Sequence, residues 1–115
     1  MEGLFSECKN LIQIADISNW NISKVKNISF LFYGCSSLKF LPDISNWNTI
    51  NIENMVGLFY ECKNLIQIAD ISNWNISKVK NISSLFYGCS SLKLLPDISH
   101  WNTINIEYGT FIFSM

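Results

Sequence analysis

The chain has no arginine, one histidine and only two prolines in 115 residues, and its net charge is −1. Binding to a nucleic-acid backbone requires clustered Lys and Arg, so this balance argues against a nucleic-acid groove and implies no polyanion partner. Uninterrupted apolar runs last only a few residues, whereas a membrane-spanning helix needs about 20, so no membrane span is expected. The amino terminus has no basic segment followed by an apolar one, which is the form of a secretory signal. Also missing are a Gly-rich phosphate loop, a recurring Ser–His–Asp set and paired carboxylates outside one periodic column. The sequence therefore predicts a protein that is not an enzyme and has no catalytic residue, cofactor site or metal site.

What the chain does contain is repetition. Cys8, Cys35, Cys62 and Cys89 recur every 27 residues, in step with Trp20, Trp47, Trp74 and Trp101 and with Asp16, Asp43, Asp70 and Asp97. A second period of 54 overlies the first: residues 1–54 and 55–108 agree at 48 of 54 positions, which reads as duplication of a two-repeat module. The repeats run approximately 8–34, 35–61, 62–88 and 89–115, the last degenerate after 107. A fixed period of this size predicts a solenoid, in which each repeat buries its apolar face only against its neighbours.

Within one repeat the pattern changes twice. Leu38–Leu41, with counterparts Leu11–Ile14, Leu65–Ile68 and Leu92–Leu95, is short, apolar and bounded by polar residues, and predicts a strand paired in parallel with its neighbours. Pro42 and Pro96 lack an N–H for a ladder and end two of these strands, and the Asp that follows suits a turn. Farther on, Val25, Ile28, Leu31 and Phe32 share a spacing with Ile52, Met55, Leu58 and Phe59 that gives a helix one apolar stripe. Ser23, Thr49 and Asn51 are its candidate N-caps, and Gly34 and Gly88 stand near its C-terminal end. The fold expected is an α/β repeat, a leucine-rich-repeat-like solenoid with one short parallel strand and one short helix per repeat.

At Leu11, Ile14, Ile17 and Trp20 the apolar residues advance in steps of three, which suits a coil that bends repeatedly with one side buried. The run LFYGCSSLKFLPDISNWNTINIENMVGLF resembles the BspA-type leucine-rich repeat surface proteins, with their aromatic-Gly-Cys-Ser-Ser-Leu, Ile-Ser-x-Trp-Asn and Asn-Met segments. The resemblance extends to about Glu107. It implies a scaffold at the cell surface or secreted, and no particular ligand.

Stacked repeats would turn each period into a column of side chains. For the cysteines, buried reduced thiols are the plain reading, with disulfides between layers and a metal role as alternatives; the 27-residue intervals supply no close Cys pair for zinc. The tryptophans are either core packing or an exposed aromatic stripe. The aspartates either cap turns or form a chain of cation sites. Lys26, Glu53, Lys80 and Glu107 alternate in sign, which would pair neighbouring layers or leave four independent solvated charges. Asn21, Asn27, Asn75 and Asn81 each begin an Asn-Ile-Ser sequon.

The function expected is a non-enzymatic repeat module for protein–protein contact, surface or adhesion-like; the alternative is a structural spacer without a binding site. Six pairs differ between the modules: Glu2/Val56, Ser6/Tyr60, Phe30/Ser84, Phe40/Leu94, Asn46/His100 and Asn54/Tyr108. Phe30, Asn46, Ser84 and His100 are the candidate interaction surface, because a tight core would resist such changes. The partner expected is a protein. The apolar ends, Met1–Phe5 and Tyr108–Phe113, predict a fragment of a longer array or end-to-end self-association.

Overall fold

Short polar side chains that fold back on their own backbone set the path of the chain. The computed structural model describes residues 1–8, 16–41, 43–68, 70–93, 97–110 and 112. In it the Ser18 N–H donates to Asp16 Oδ1 at 2.9 Å, the Ser23 N–H to Asn21 at 3.1 Å and the Ser29 N–H to Asn27 at 2.8 Å. The trio recurs at Asp43, Asn48 and Asn54, and again at Asp70, Asn75 and Asn81. Each is an Asx turn, a side-chain mimic of a backbone turn. Asp97 and Asn102 keep the first two turns of the last set, and Tyr108 stands where the third asparagine would.

Between these turns the backbone bonds alternate. Ile28, Phe30, Phe32 and Gly34 donate to the carbonyls of Asn54, Val56, Leu58 and Tyr60, 26 residues on, at 2.8–3.0 Å. Leu31 and Tyr33 donate instead to Ile28 and Phe30, three residues back, at 3.3 and 3.1 Å. Successive 27-residue lengths of chain thus lie over one another as layers, tied by parallel bridges at Asn27–Asn54, Asn54–Asn81, Asn81–Tyr108 and Phe40–Gln67.

This pattern overturns the expected α/β leucine-rich-repeat-like solenoid. Among the described residues there is no helix, and strand-type pairing is confined to isolated bridges. A helix would carry every N–H to the carbonyl four residues back, whereas here half of them leave for the next layer. The segment also passes twice per layer through left-handed backbone: φ is 55° at Phe30 and 69° at Gly34, 59° at Gly57 and 61° at Glu61, 57° at Ser84 and 77° at Gly88. No right-handed helix accommodates such residues. Ile28, Leu31, Phe32, Met55, Leu58 and Phe59 are buried as the stripe required, but a spacing of three also describes consecutive tight turns.

The expected caps serve other ends: Thr49 Oγ1 donates to the Asn75 carbonyl at 3.0 Å, and Asn51 Nδ2 to the Ser23 carbonyl at 2.6 Å. Of the expected strands, Leu38–Leu41 and Leu65–Ile68 shrink to the single Phe40–Gln67 bridge. Leu11–Ile14, Leu94, Leu95, Pro42 and Pro96 lie outside the described residues, as do Phe111 and Phe113 of the expected apolar end. The body is also compact rather than elongated, with extents of 35 × 30 × 22 Å and a radius of gyration of 12.8 Å. A globule of this length is expected near 13 Å.

The core is made of columns. Phe5, Phe32, Phe59 and Phe86 stack with centroids 5.5–5.7 Å apart and planes within 3°. Trp47 and Trp74 stack at 6.3 Å, and the indoles of Trp47, Trp74 and Trp101 donate to the carbonyls of Ile17, Ile44 and Ile71, each at 3.0 Å. Cys35, Cys62 and Cys89 donate to the carbonyls of Phe5, Phe32 and Phe59, again at 3.0 Å. A polar hydrogen at the tip of an otherwise apolar side chain therefore ties one layer to the last without leaving a buried donor unmet. Trp20, in the first layer, is 39% exposed.

Candidate functional site: a tyrosine ridge between two grooves

Tyr33, Tyr60 and Tyr87 occupy one position of three successive layers. Each ends a tight turn closed by its own N–H, Tyr33 on the Phe30 carbonyl, Tyr60 on Gly57 and Tyr87 on Ser84. Tyr60 and Tyr87 stack with centroids 4.8 Å apart, Tyr33 lies 5.2 Å from Tyr60 at a tilt of 36°, and the three form a half-buried ridge. The Tyr60 hydroxyl is pushed above the ordinary phenol value, first by partial loss of solvation and then by Tyr87, Glu61 and Tyr33. In the first layer the position is held by Ser6, so the ridge stops at Tyr33.

A groove lies on either side. One, of about 470 Å³, runs past Glu7, Ser36, Glu61 and Lys63 with Tyr33 and Tyr60 in its wall. Glu61 and Lys63 form the one ion pair among the described residues, at 3.7 Å. The other, of about 600 Å³, is lined by Glu2, Gly3, Ser6, Phe30, Tyr33 and Tyr60. The Phe30 ring meets Tyr33 edge to face, at 86° and 5.8 Å. Phe30 also covers Gly57, where a Cβ would run into its ring.

Of the residues singled out in the sequence, Phe30 lines the second groove. Ser84 takes the same left-handed position two layers on and lines neither groove. Asn46 and His100 are exposed in the turns that Asp43 and Asp97 open, and the structure brings neither to Phe30. Sequence reasoning passed over Tyr33, Tyr87, Glu7, Glu61 and Lys63. The tyrosines carried a signal in their 27-residue spacing, and the Ser6/Tyr60 difference marked the end of their column.

The remaining columns are occupied with structure. The four aspartates sit below the ordinary carboxylate value because Ser18, Ser45, Ser72 and Ser99 donate to them, hydroxyl first and backbone N–H second. All four cysteines are free thiols; burial pushes Cys35 up to about 11 and Cys89 up to about 12, and raises Cys62 as well. Among the described residues no three of His, Cys, Asp and Glu gather as a metal would need. Lys26, Glu53, Lys80 and Glu107 are exposed and make no ion pair among the described residues, and backbone joins their layers: the Glu53 N–H donates to the Lys26 carbonyl at 2.7 Å.

Fold and site together define a turn-built stack with one aromatic face. The chain belongs to the family described as Mycoplasma protein of unknown function, DUF285, which it matches over residues 1–115. No curated protein and no solved structure matches it.

Proposed function

We propose that this chain is a non-enzymatic module that contacts a partner protein through the tyrosine ridge, in the surface or adhesion-like setting implied by its resemblance to BspA-type proteins. The observation that carries the reading is the ridge itself. A spacer would turn polar side chains outward, whereas this chain gathers Phe30, Tyr33, Tyr60 and Tyr87 along one face and flanks them with Glu7, Glu61 and Lys63. Tyrosine suits an interface because it offers a large rigid ring with a polar tip. The state of the other groups supports the non-enzymatic part: the thiols of Cys35, Cys62 and Cys89 are held protonated by burial, and the aspartates are committed to turns.

The test is capture of proteins from the source cells and from host extract by the chain and by its Tyr60→Ser/Tyr87→Ser variant, with matched far-ultraviolet spectra. A partner held by the first and lost from the second is the expected result. Equal capture by both would move the contact off the ridge, and no capture by either would favour the spacer.

A further inference from the structure

Two nearly identical modules make a built-in comparison. They differ at six positions, and the first-module residues at three of those, Glu2, Ser6 and Phe30, line the second groove together with Tyr33. Their counterparts in the second module are Val56, Tyr60 and Ser84, which lack the carboxylate, fill the space with a ring and remove the second aromatic wall. The first module thus holds a combination that the second has lost in all three of its parts.

The chemistry of that combination is specific. Phe30 and Tyr33 stand at 86° to each other, 5.8 Å between centroids, and form two perpendicular walls. Ser6 leaves open the place that a fourth stacked tyrosine would take. Glu2 lies at the rim, exposed, with Oε2 accepting from Asn27 Nδ2 at 3.4 Å, and puts a negative charge beside the two rings. Aromatic faces attract cations through their quadrupole, and a carboxylate adds a full opposite charge. Phe30 holds its place in left-handed backbone, at φ 55°, and rests on Gly57, the residue whose missing Cβ makes room for its ring. Non-glycine residues in that conformation carry strain of about 1 kcal/mol or more.

We infer that the groove formed by Glu2, Ser6, Phe30 and Tyr33 is a binding site for an organic cation, and specifically for a lysine side chain presented by the partner protein. This assignment rests on the protein-contact reading above and gives the partner its chemistry. The ammonium sits against the two rings beside Glu2, and the aliphatic stem lies along Phe30.

The test uses the whole chain and a blocked pentapeptide, Gly-Ser-Lys-Ser-Gly, followed by NMR of the Phe30 and Tyr33 ring signals. Control ligands are the same peptide with norleucine or Glu in place of Lys, and free choline. The variants are Glu2→Val, Ser6→Tyr and Phe30→Ser, each installing what the second module already tolerates. Saturable shifts with the lysine peptide are expected, several-fold weaker in Glu2→Val and Phe30→Ser and absent in Ser6→Tyr. Equal binding of the norleucine peptide, no binding of the lysine peptide, or indifference to all three substitutions would overturn the site. Tighter binding of choline would overturn the lysine assignment. Because Tyr87 lines neither groove, capture by a Tyr87→Ser single variant reads the ridge apart from the cation site, and loss of the cation site leaves that result intact.

Discussion

At the scale of single residues, the periodic polar side chains act on the backbone nearest to them. The Asp turn was readable from the sequence, because Asp two residues before Ser is a turn pattern whatever the tertiary fold. The Asn-Ile-Ser sequons held the same information: Asn21, Asn27, Asn75 and Asn81 all accept from the serine two residues on, so the motif serves as a turn. The burial of Cys35, Trp47 and Trp74 was also legible from their strict recurrence among apolar neighbours, but the carbonyl that each one reaches in the previous layer was not. A pH dependence follows from the aspartates. The charged form accepts the serine bonds, so the folded-state pKa lies below the ordinary 3.8. The stability these turns contribute is therefore present above about pH 4 and lost as pH falls through the lowered values. A variant with all four Asp replaced by Asn keeps the acceptors without the titration. Its thermal midpoint should fall less than that of the parent chain between about pH 4 and pH 2, and parallel curves would show that the carboxylates are not responsible.

At the scale of elements, the expected helix failed because its stripe has two solutions. A spacing of three and four places residues on one face of a helix, and it also places them inside a run of tight turns that face a neighbouring layer. What decides between them is the left-handed residue, and the sequence disguised it. Each layer needs two, at the positions of Gly3, Phe30, Gly57 and Ser84 and of Glu7, Gly34, Glu61 and Gly88, yet glycine fills only one of the two in each layer. The alternation has a packing cause. Phe30 covers Gly57 and Glu61 covers Gly88, so the bulky residue of one layer rests on a glycine in the next. Gly57→Ala should destabilise the chain by about 2–3 kcal/mol, from left-handed strain plus overlap with the Phe30 ring. Combining it with Phe30→Ser should recover the part due to overlap. Denaturant unfolding of the single and double variants separates the two terms, and purely additive losses would mean that the ring and the missing Cβ are not coupled.

At the scale of the whole molecule, both periods were legible and only one of them had an evident meaning. The 27-residue period is the layer, visible in the bridges from Asn27 through Asn54 and Asn81 to Tyr108. The glycine alternation shares the 54-residue period, since it restores itself only after two layers. This makes the two-layer module, not the single layer, the unit that can be added without conflict. Inserting a second copy of residues 55–108 after Tyr108 keeps each bulky left-handed residue over a glycine, and it adds an internal interface of the existing kind. The thermal midpoint should rise, since stacked units gain stability from each nearest-neighbour contact. Inserting a second copy of residues 28–54 after Asn54 adds the same core columns but sets one Phe30 directly on the Cβ of another. That chain should melt lower than the parent despite its extra buried surface, because overlap and strain are local and the added layer cannot shift without breaking its ladder of 26-residue bonds. If both insertions raised the midpoint alike, the alternation of glycine would be incidental and the 54-residue period would record only the duplication.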